Sequence, residues 1–308
     1  MPELQAYRYL HLDVFTDTPL TGNQLVVFLD PRDLTTEQMM ALSREMGYSE
    51  TTFVFPPTVA QADFRVRIFA LNLDREIPVA GHPSIGTIFG LAAQGLVPHG
   101  RRRVVLELGI GPTPFELQWA ADRLQFVWME QLPPELSPPI ADMAAVAAAL
   151  SIREDDIRST GLPVQQVSCG APFLMVPITR REIVDRAVLH REAMGSLIDA
   201  AGLIRRGVMV FSTETGEDGA TAYARMLGFG VAEDPATGNA NGPLGCYLVH
   251  HGVVSPERAR HMTNRQGVKM GRPSTLHVSV ESDGHSIQRV RIGGSAVLLA
   301  SGVIELPG

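Results

Sequence analysis

The chain has 308 residues, of which 45% are hydrophobic and 19% charged, and its formal net charge is −7. These values predict one or two globular domains with sizeable cores. The negative charge argues against non-specific binding of nucleic acid, and no apolar run approaches the ~20 residues that a membrane-spanning helix needs.

The chain is predicted to open with a β-hairpin and a capped helix. Residues 7–15 and 25–29 are apolar and separated by a polar, glycine-containing loop, a pattern typical of two antiparallel strands. Thr35 precedes Gln38 by three residues, which is the spacing of a capping box at a helix start. Gly47 follows the helix and provides its C-cap.

A second group of strands follows this helix. Residues 51–55 are β-branched and aromatic and predict a strand, with Glu50 at its entrance. Residues 64–69 predict another strand, and glycines punctuate a later antiparallel meander. Its three strands are predicted at 104–108, 113–119 and 124–129. Four prolines within residues 133–139 then predict a linker between domains.

The second half of the chain alternates helices and strands. Helices are predicted near 141–150 and 192–201. Strands are predicted at 164–168, 173–177, 208–212, 222–227, 276–280, 287–292 and 296–306. Long apolar strands with single helices indicate, in each half, a sheet wrapped around a mostly buried helix.

One glycine-rich motif occurs twice. Residues 80–86 (Ala-Gly-His-Pro-Ser-Ile-Gly) and residues 233–242 (Glu-Asp-Pro-Ala-Thr-Gly-Asn-Ala-Asn-Gly) each follow a predicted strand and precede an apolar helix. Gly81 and Gly238 are 157 residues apart. This self-similarity predicts two related domains, and two such loops facing each other would form one site between them.

The chemistry of the repeated motif favours an acidic ligand. A strand followed by a glycine-rich turn and a helix start collects free backbone N–H groups, with the positive end of the helix dipole behind them. Such a position attracts a carboxylate or a phosphate. An isolated turn of this kind could be a simple helix entry, but its repetition favours a functional role.

The cysteines and the N-terminus indicate the compartment. Cys169 and Cys246 have neither the number nor the spacing of a disulfide framework or a zinc site. We expect them to be buried, reduced thiols. Residues 1–5 lack the basic and apolar regions of a signal peptide, so a cytoplasmic protein is expected.

Several motifs, in order along nearly the whole chain, resemble the PhzF family, named for a phenazine-biosynthesis isomerase. They are residues 11–15 with Gly22 and Asn23, then 49–54, 77–83, 233–238, and 266–268 with 271–274. The resemblance implies an α+β, diaminopimelate epimerase-like fold. Its two pseudo-symmetric domains each wrap a sheet around a central helix, with a cleft between them. It places residues 1–130 plus 295–308 in the N-terminal domain and residues 131–294 in the C-terminal domain.

The resemblance also implies a site. Glu50 matches the family's catalytic carboxylate, which takes a proton from one ring carbon and delivers it to another. His82 and Asp234 match its polar catalytic partners, and Gly81 and Gly238 match backbone contacts to the substrate. A buried general base with a raised pKa and backbone amides at two helix starts suit this chemistry.

Two departures from relatives limit the chemistry. The two cysteines that serve as acid and base in the epimerase relatives are replaced by Ala80 and Thr237, which argues against two-thiol racemisation. Asn239 stands where the PhzF isomerase has a serine, and an amide is a poor proton relay. Ser84 or Thr237 could supply a hydroxyl to the substrate, although a helix-capping role is the favoured interpretation for both.

The sequence therefore predicts an isomerase without metal or organic cofactor, acting on a small carboxylate-bearing, cyclic or amino-acid-like substrate. The resemblance implies a homodimer. Two alternatives stay open: a catalytically silent protein that binds metabolites or another protein, and, less favoured, an amino-acid racemase or epimerase. The substrate and pathway are not predicted.

Overall fold

The computed structural model describes residues 4–214, 216–230, 233–283 and 286–307, with the backbone alone at residue 72. Contacts between Cα atoms divide the chain into two compact units. Unit 1 comprises Met1–Met129 and Gly293–Gly308, and unit 2 comprises Glu130–Ile292. The C-terminal segment of the chain therefore belongs with the N-terminal unit.

The secondary structure is mixed. The strands in chain order are β1 (Leu4–Val14), β2 (Asn23–Phe28), β3 (Glu50–Phe55), β4 (Phe64–Ala70), β5 (Arg75–Ile77), β6 (Arg103–Leu108), β7 (Gly111–Ala120), β8 (Arg123–Gln131), β9 (Glu135–Leu136), β10 (Gln165–Ser168), β11 (Pro172–Pro177), β12 (Gly207–Ser212), β13 (Ala222–Gly228), β14 (Glu233–Asp234), β15 (Met262–Gln266), β16 (Ser274–Ser282), β17 (Ile287–Gly294) and β18 (Ala296–Pro307). The α-helices are α1 (Thr36–Met46), α2 (Gly81–Ala93), α3 (Met143–Ala149), α4 (Glu154–Arg158), α5 (Arg181–Arg186), α6 (Arg191–Ala200) and α7 (Gly238–His250). Three short 3₁₀ helices lie at Leu71–Leu73, Ala259–His261 and Val268–Met270.

Unit 1 is built on a mixed sheet. Strand β1 pairs antiparallel with both β2 and β18, and β2 pairs parallel with β3. Strand β4 continues the sheet, antiparallel to β3 and β5 and parallel to β6. Strands β6, β7 and β8 form an antiparallel meander. The predicted opening hairpin and the predicted meander are both confirmed.

Helix α1 covers one face of this sheet, and its ends are as predicted. The Thr35 side chain accepts from the Gln38 backbone N–H at 3.2 Å, and the Gln38 side chain accepts from the Thr35 N–H at 2.9 Å. Gly47 ends the helix in the left-handed conformation with φ 73°. Met39, Met40 and Leu42 of the helix pack in a core with aromatic rings of β2, β3 and β4. The rings of Phe28 and Phe53 stack there at 4.9 Å.

Each unit contains one mostly buried helix, as predicted. In α2 the buried residues run from Gly81 to Leu91, and in α7 nearly all positions from Gly238 to Leu248 are buried. Both helices begin earlier than expected. The glycine-rich residues, interpreted from the sequence as a turn before the helix, themselves form its first turns. Small residues permit this because they let the helix backbone lie close to the surrounding sheet.

The strands of unit 2 also pair in both parallel and antiparallel directions. Strand β10 pairs antiparallel with β9 and β11, and β11 pairs parallel with β12. Strand β13 lies antiparallel to β12 and β14 and parallel to β15, which pairs antiparallel with β16. Helices α3 to α6 contribute to the apolar core against β11, β12 and β13. Pro-rich residues 132–139, predicted to be a linker, contain the two-residue strand β9.

The prediction missed several elements. Helices α4 and α5 have only five and six residues, too few for a 3.6-residue period to stand out. Strand β15 reads Met-Thr-Asn-Arg-Gln, and its buried positions include Asn264 and Gln266. Hydropathy cannot identify a strand whose inward residues are amides.

The strand registers confirm the internal repeat. In unit 1, Ile68 of β4 pairs with Ile77 of β5, and in unit 2, Met226 of β13 pairs with Asp234 of β14. These pairs are separated by 158 and 157 residues along the chain. The short strands β5 and β14 were not predicted, so the repeat includes a hairpin before each central helix.

The described residues contain neither a membrane-spanning helix nor a metal-binding cluster. Among their helices, none has both the length and the apolar character required to cross a membrane. Their His, Cys, Asp and Glu side chains form no group of three or more that could hold a metal ion.

Candidate active site

Glu50 and His82 lie together in unit 1. Glu50 is the first residue of β3, and His82 is the second residue of α2. The His82 Nε2 atom lies 3.5 Å from the Glu50 Oε2 atom. The two side chains are 7% and 17% exposed, so this carboxylate and imidazole meet in a largely desolvated place. A partly accessible carboxylate beside a histidine can take up and return a proton.

Asn23, at the start of β2, contacts the other side of the His82 ring. Its Nδ2 atom lies 3.4 Å from His82 Nδ1. An amide nitrogen donates and cannot accept, so in this arrangement a neutral His82 accepts at Nδ1 and carries its proton on Nε2, toward Glu50. Gly22 makes this approach possible: its φ is 69°, and a Cβ there would lie 2.4 Å from the Val14 carbonyl oxygen.

Two hydroxyl groups connect α2 to β3. Thr87 Oγ1 donates to the Pro83 carbonyl oxygen at 2.7 Å and lies 2.9 Å from Thr52 Oγ1. Thr52 and Thr87 are both fully buried. Because Thr52 is two residues beyond Glu50 on the same strand face, this connection fixes the helix start relative to Glu50.

Ser84 does not cap α2. Its Oγ donates to the Ala80 carbonyl oxygen at 2.7 Å, a bond back along the helix, and the N-cap position is held by Ala80. Ser84 is fully buried, which leaves its hydroxyl directed at the helix backbone. The capping interpretation was wrong because the helix begins at Gly81, three residues before Ser84.

Asp234 and Thr237 lie together in unit 2. Asp234 ends β14, and Thr237 is the residue before α7. The Thr237 hydroxyl donates to Asp234 Oδ2. Thr237 occupies the N-cap position, but within the described chain its side chain makes no bond to the helix backbone. The predicted side-chain cap was therefore wrong for Thr237 as well, because its hydroxyl donates to Asp234 and accepts from Gln266 Nε2 instead of a helix N–H.

The two central helices begin with unsatisfied amides. In the part of the chain that the structure describes, the backbone N–H groups of Gly81, Gly238 and Asn239 make no hydrogen bond to protein. The half-buried Asn239 side chain likewise makes none among the described residues. Free N–H groups at a helix N-terminus favour an anion. The sequence predicted this feature for both motifs.

A buried ion pair anchors the hairpin before Asp234. Arg225 of β13 forms a two-point contact with Glu233, at 3.0 Å to Oε1 and 2.7 Å to Oε2. The Arg225 guanidinium also donates to three carbonyl groups at the end of α5. Arg67 and Glu76 form the corresponding pair in unit 1. These pairs hold the short strands β14 and β5, and thereby the chain that leads into each central helix.

Sequence reasoning missed two groups of buried amides as site components. Asn23 and Gln266 were recognised only as parts of motifs, and Asn241 was not singled out. Gln266 and Asn241 are fully buried, and both contact Thr237. A polar residue within a buried, glycine-rich segment was the available signal, but the partner of each amide is far away in sequence.

Cys169 and Cys246 lie outside both clusters. Both are buried, free thiols, as predicted, and their Sγ atoms are 3.7 Å apart. The hydrogen bond to Cys169, together with burial, raises the pKa of the Cys246 thiol far above its usual value. A thiol in this state is a poor base, which agrees with the argument against two-thiol racemisation.

Comparison with known proteins gives a consistent picture. A family model described as phenazine biosynthesis-like protein, PhzC-PhzF, matches residues 12–302. The chain is 33% identical over 304 residues to the uncharacterized isomerase mll1393 of Mesorhizobium japonicum, covering 97% of this chain and 99% of that protein. It is 32% identical over 306 residues to the trans-2,3-dihydro-3-hydroxyanthranilate isomerase of Pseudomonas chlororaphis, covering 97% and 100%. The similarity to these named isomerases indicates that this chain is also an isomerase.

Solved structures share the fold. A PhzF family phenazine biosynthesis protein of Bacillus anthracis superimposes with a TM-score of 0.84 at 24% identity, covering 97% of this chain and 99% of that chain. A hydroxyproline epimerase of Agrobacterium vitis superimposes with a TM-score of 0.65 at 16% identity, covering 100% and 95%. The predicted α+β, epimerase-like fold is therefore confirmed.

Proposed function

The chain belongs to the PhzC-PhzF family of phenazine biosynthesis-like proteins, and from this premise we propose that it is a cofactor-independent isomerase that moves a proton on a small carboxylate-bearing substrate. The single observation that carries the proposal is the contact between Glu50 and His82 in a largely buried setting. The substrate is cyclic or amino-acid-like in this proposal.

Glu50 is the proton shuttle. Its carboxylate removes a proton from one carbon of the substrate and returns it to another, so that the substrate changes only in the positions of a hydrogen and a double bond. A single carboxylate at the start of a strand can serve both steps because either oxygen can carry the proton. The Glu50 side chain is 17% exposed, which leaves its carboxylate accessible to a substrate but largely shielded from bulk water.

His82 orients Glu50 and the substrate. With Nδ1 accepting from Asn23, the Nε2–H group can donate to the ionised carboxylate of Glu50. The same imidazole can polarise a substrate group when Glu50 becomes protonated. We assign Asp234 the second orienting role, because the Thr237 hydroxyl holds its carboxylate in one rotamer.

The helix starts bind the substrate carboxylate. Gly81, Gly238 and Asn239 contribute N–H groups without protein partners in the described chain, and each lies at the positive end of a buried helix. Such donors also stabilise the negative charge that develops on a conjugated system. Ser84 and Thr237 contribute through the helix backbone and through Asp234, respectively.

Asn239 sets the difference from the dihydro-hydroxyanthranilate isomerases. Its half-buried amide donates from its nitrogen and accepts at a separate oxygen, whereas the serine that the resemblance places here donates and accepts through one oxygen, which can relay a proton. We expect Asn239→Ser to raise activity on trans-2,3-dihydro-3-hydroxyanthranilate relative to the unsubstituted protein. A lower activity would assign the amide a required role with that compound.

Proton NMR in D₂O tests the proposed activity. The purified protein is incubated with a panel of small carboxylates that includes trans-2,3-dihydro-3-hydroxyanthranilate, and deuterium uptake or rearrangement is followed for each. We expect exchange on at least one compound in the unsubstituted protein and none in Glu50→Gln. Glu45→Gln, which changes an exposed carboxylate of α1, is the matched control and should retain the activity.

The panel also separates the alternatives. Line broadening of a ligand in both proteins without exchange would favour the metabolite-binding alternative. Exchange confined to the α-carbon of an amino acid, and retained in Glu50→Gln, would favour a racemase. The homodimer implied by the resemblance is part of this proposal, and light scattering of the purified protein would show a mass of two chains.

A further inference from the structure

Gln266 is the most heavily bonded side chain near the second helix start. It is the last residue of β15 and is fully buried. Its Nε2 donates to the Asp234 carbonyl oxygen at 2.7 Å and to Thr237 Oγ1 at 3.0 Å. Its Oε1 accepts from the Thr237 N–H at 3.2 Å and from Asn241 Nδ2 at 2.8 Å. Both ends of one amide therefore hold the four-residue segment that carries Asp234.

The bonds to Gln266 fix the direction of the Thr237 hydroxyl. A hydroxyl has one proton, and Thr237 Oγ1 already accepts from Gln266 Nε2. The Thr237 proton is then given to Asp234 Oδ2. An ionised carboxylate can only accept, so this arrangement suits the charged form of Asp234.

The orientation of the Gln266 amide is itself fixed. Asn264 Nδ2 donates to Asn241 Oδ1 at 3.0 Å, which directs the Asn241 nitrogen toward Gln266 Oε1. If the Gln266 amide were reversed, its nitrogen would face two donors, the Thr237 N–H and Asn241 Nδ2. The donors therefore follow one direction, from Asn264 to the Asp234 carboxylate, and bonds in such a chain strengthen one another.

The backbone brings Gln266 to this position. Gly267 follows it with φ 74°, and a Cβ at Gly267 would lie 2.6 Å from the Pro235 carbonyl oxygen and 2.3 Å from that of Arg272. A larger residue cannot occupy this place. The end of β15 is thus pressed against the segment between Asp234 and Thr237.

We propose that Gln266 is a positioning residue that sets the Thr237 hydroxyl as a donor to Asp234 and so holds the Asp234 carboxylate ready for substrate. The role of Asp234 in this statement rests on the proposed function. The fixed hydroxyl and the restrained segment concern the protein alone. Gln266 itself touches no reacting atom in this account.

Amide hydrogen exchange by NMR tests the positioning without any substrate. Gln266→Met keeps the length of the side chain and removes every hydrogen bond. We expect exchange of the Thr237 amide proton to accelerate about tenfold, since the hydrogen bond that protects it is lost. Gln166→Met is the matched control: Gln166 is a buried glutamine of unit 2 that bonds the backbone of Ile204 in both directions. It should leave Thr237 exchange unchanged, and equal acceleration in both variants would overturn the proposal.

A second pair of variants covers the case in which Gln266→Met does not fold. Thr237→Ser keeps a hydroxyl, whereas Thr237→Val has a similar shape without one. In the free protein, the Gln266 side-chain NH₂ protons should exchange about tenfold faster in Thr237→Val and be restored toward the original rate in Thr237→Ser. The same rate in both variants would show that the hydroxyl does not engage Gln266, which contradicts the proposal.

Kinetics connect the positioning to function. With trans-2,3-dihydro-3-hydroxyanthranilate as probe, we expect Gln266→Met to lower kcat by about tenfold or more while Gln166→Met has no effect, because a misplaced orienting group slows the reaction.

If the unsubstituted protein shows no exchange on the probe panel, the proposed function fails, and the amide exchange measurements still decide whether Gln266 positions the segment. Unchanged kcat in Gln266→Met, in an active protein, would overturn the link to Asp234.

Discussion

The two central helices start in similar backbones but are held by different chemistry. In unit 2 the buried amides Asn241 and Gln266 bond the segment before α7, and Asn264 bonds Asn241. The positions 157 or 158 residues earlier are Ser84, Leu106 and Leu108, and both leucines are buried. Unit 1 therefore places an apolar core where unit 2 has a hydrogen-bonded network.

The two units also differ in their candidate catalytic groups. By strand register, Glu50 of β3 corresponds to Gly207 of β12, and Asp234 of β14 corresponds to Ile77 of β5. Each unit thus carries one of the two candidate catalytic carboxylates, at a position where the other unit has no carboxylate. The repeat preserves strand pairing, the Arg–Glu pair and the helix start, while the two candidate catalytic carboxylates occupy positions that are not equivalent in the repeat.

Removing the arginine of each Arg–Glu pair gives the largest expected difference in stability between the two units. Arg225→Met leaves Glu233 and three carbonyl groups without their partner, and breaking a buried pair costs about 3–5 kcal/mol. Arg67→Met removes a more exposed pair, in which Glu76 is 38% exposed, and should cost about 1 kcal/mol. Urea unfolding measures both. Equal losses would show that the two hairpins are held alike.

The amide network should make unit 2 more sensitive than unit 1 at a matched helix position. Asn241→Leu strips partners from Gln266, Asn264 and the Thr237 carbonyl, which we expect to cost about 3 kcal/mol. Ser84→Ala, at the repeat-related position, removes one bond to the Ala80 carbonyl and should cost about 1 kcal/mol or less. Chemical denaturation of the two variants checks the difference. A cost for Ser84→Ala as large as that for Asn241→Leu would contradict this comparison.

Transplanting one amide tests whether the network depends on its partners. Leu108→Gln places a glutamine at the repeat equivalent of Gln266, where leucines and Ser84 replace the amides. We expect a loss of about 2 kcal/mol in the free energy of unfolding, because a buried amide without a full set of partners is destabilising. Leu108→Met is the control of similar size and should cost less than about 1.5 kcal/mol. A Leu108→Gln protein as stable as Leu108→Met would refute the argument.

The smallest expected effect is a pH dependence that belongs to unit 2. Burial, and then the neighbouring His250, lower the pKa of His251 below its usual 6.5. Its neutral form is favoured in the folded state, so the unfolded chain binds more protons below that pH. The contribution of His251 to stability is present above pH 6.5 and is lost as the pH falls toward its folded-state pKa.

His251→Gln should therefore flatten the decline of unfolding free energy as the pH falls below about 6.5. His261→Gln, which changes an exposed histidine of the same unit, should leave the slope unchanged. Urea titrations across this range measure both slopes. The positions equivalent to His250 and His251 in unit 1 are Ala93 and Gln94, so the C-terminal end of α2 carries no histidine. An unaltered slope in His251→Gln would show that His251 does not contribute to the pH dependence of stability.

The sequence contained enough information to predict the repeat and the buried helices. Glycine, proline and cap residues mark element ends by local geometry, which is why the helix from Thr36 to Met46 and the strand entrance at Glu50 were predicted well. The actual helix starts were not, because Gly81 and Gly238 enter a helix only when the surrounding sheet covers them. That packing is not a local property.

The network around Asp234 was beyond sequence reasoning for a related reason. Gln266 is 32 residues from Asp234, and only the parallel pairing of β13 with β15 brings its strand there. Thr237 was interpreted as a cap because its position fits one. Its hydroxyl donates to a carboxylate instead, since Gln266 already supplies the donor on its other side.

The most direct test of the central claim compares the two carboxylates in one reaction. The rate of deuterium incorporation from D₂O is measured at saturating concentration of the compound on which the unsubstituted protein shows exchange. We predict that Glu50→Gln lowers this rate by about 10²–10⁴-fold, as loss of a general base does, and that Asp234→Asn lowers it less. A Glu50→Gln protein that retains the full exchange rate would contradict the assignment of Glu50 as the proton shuttle.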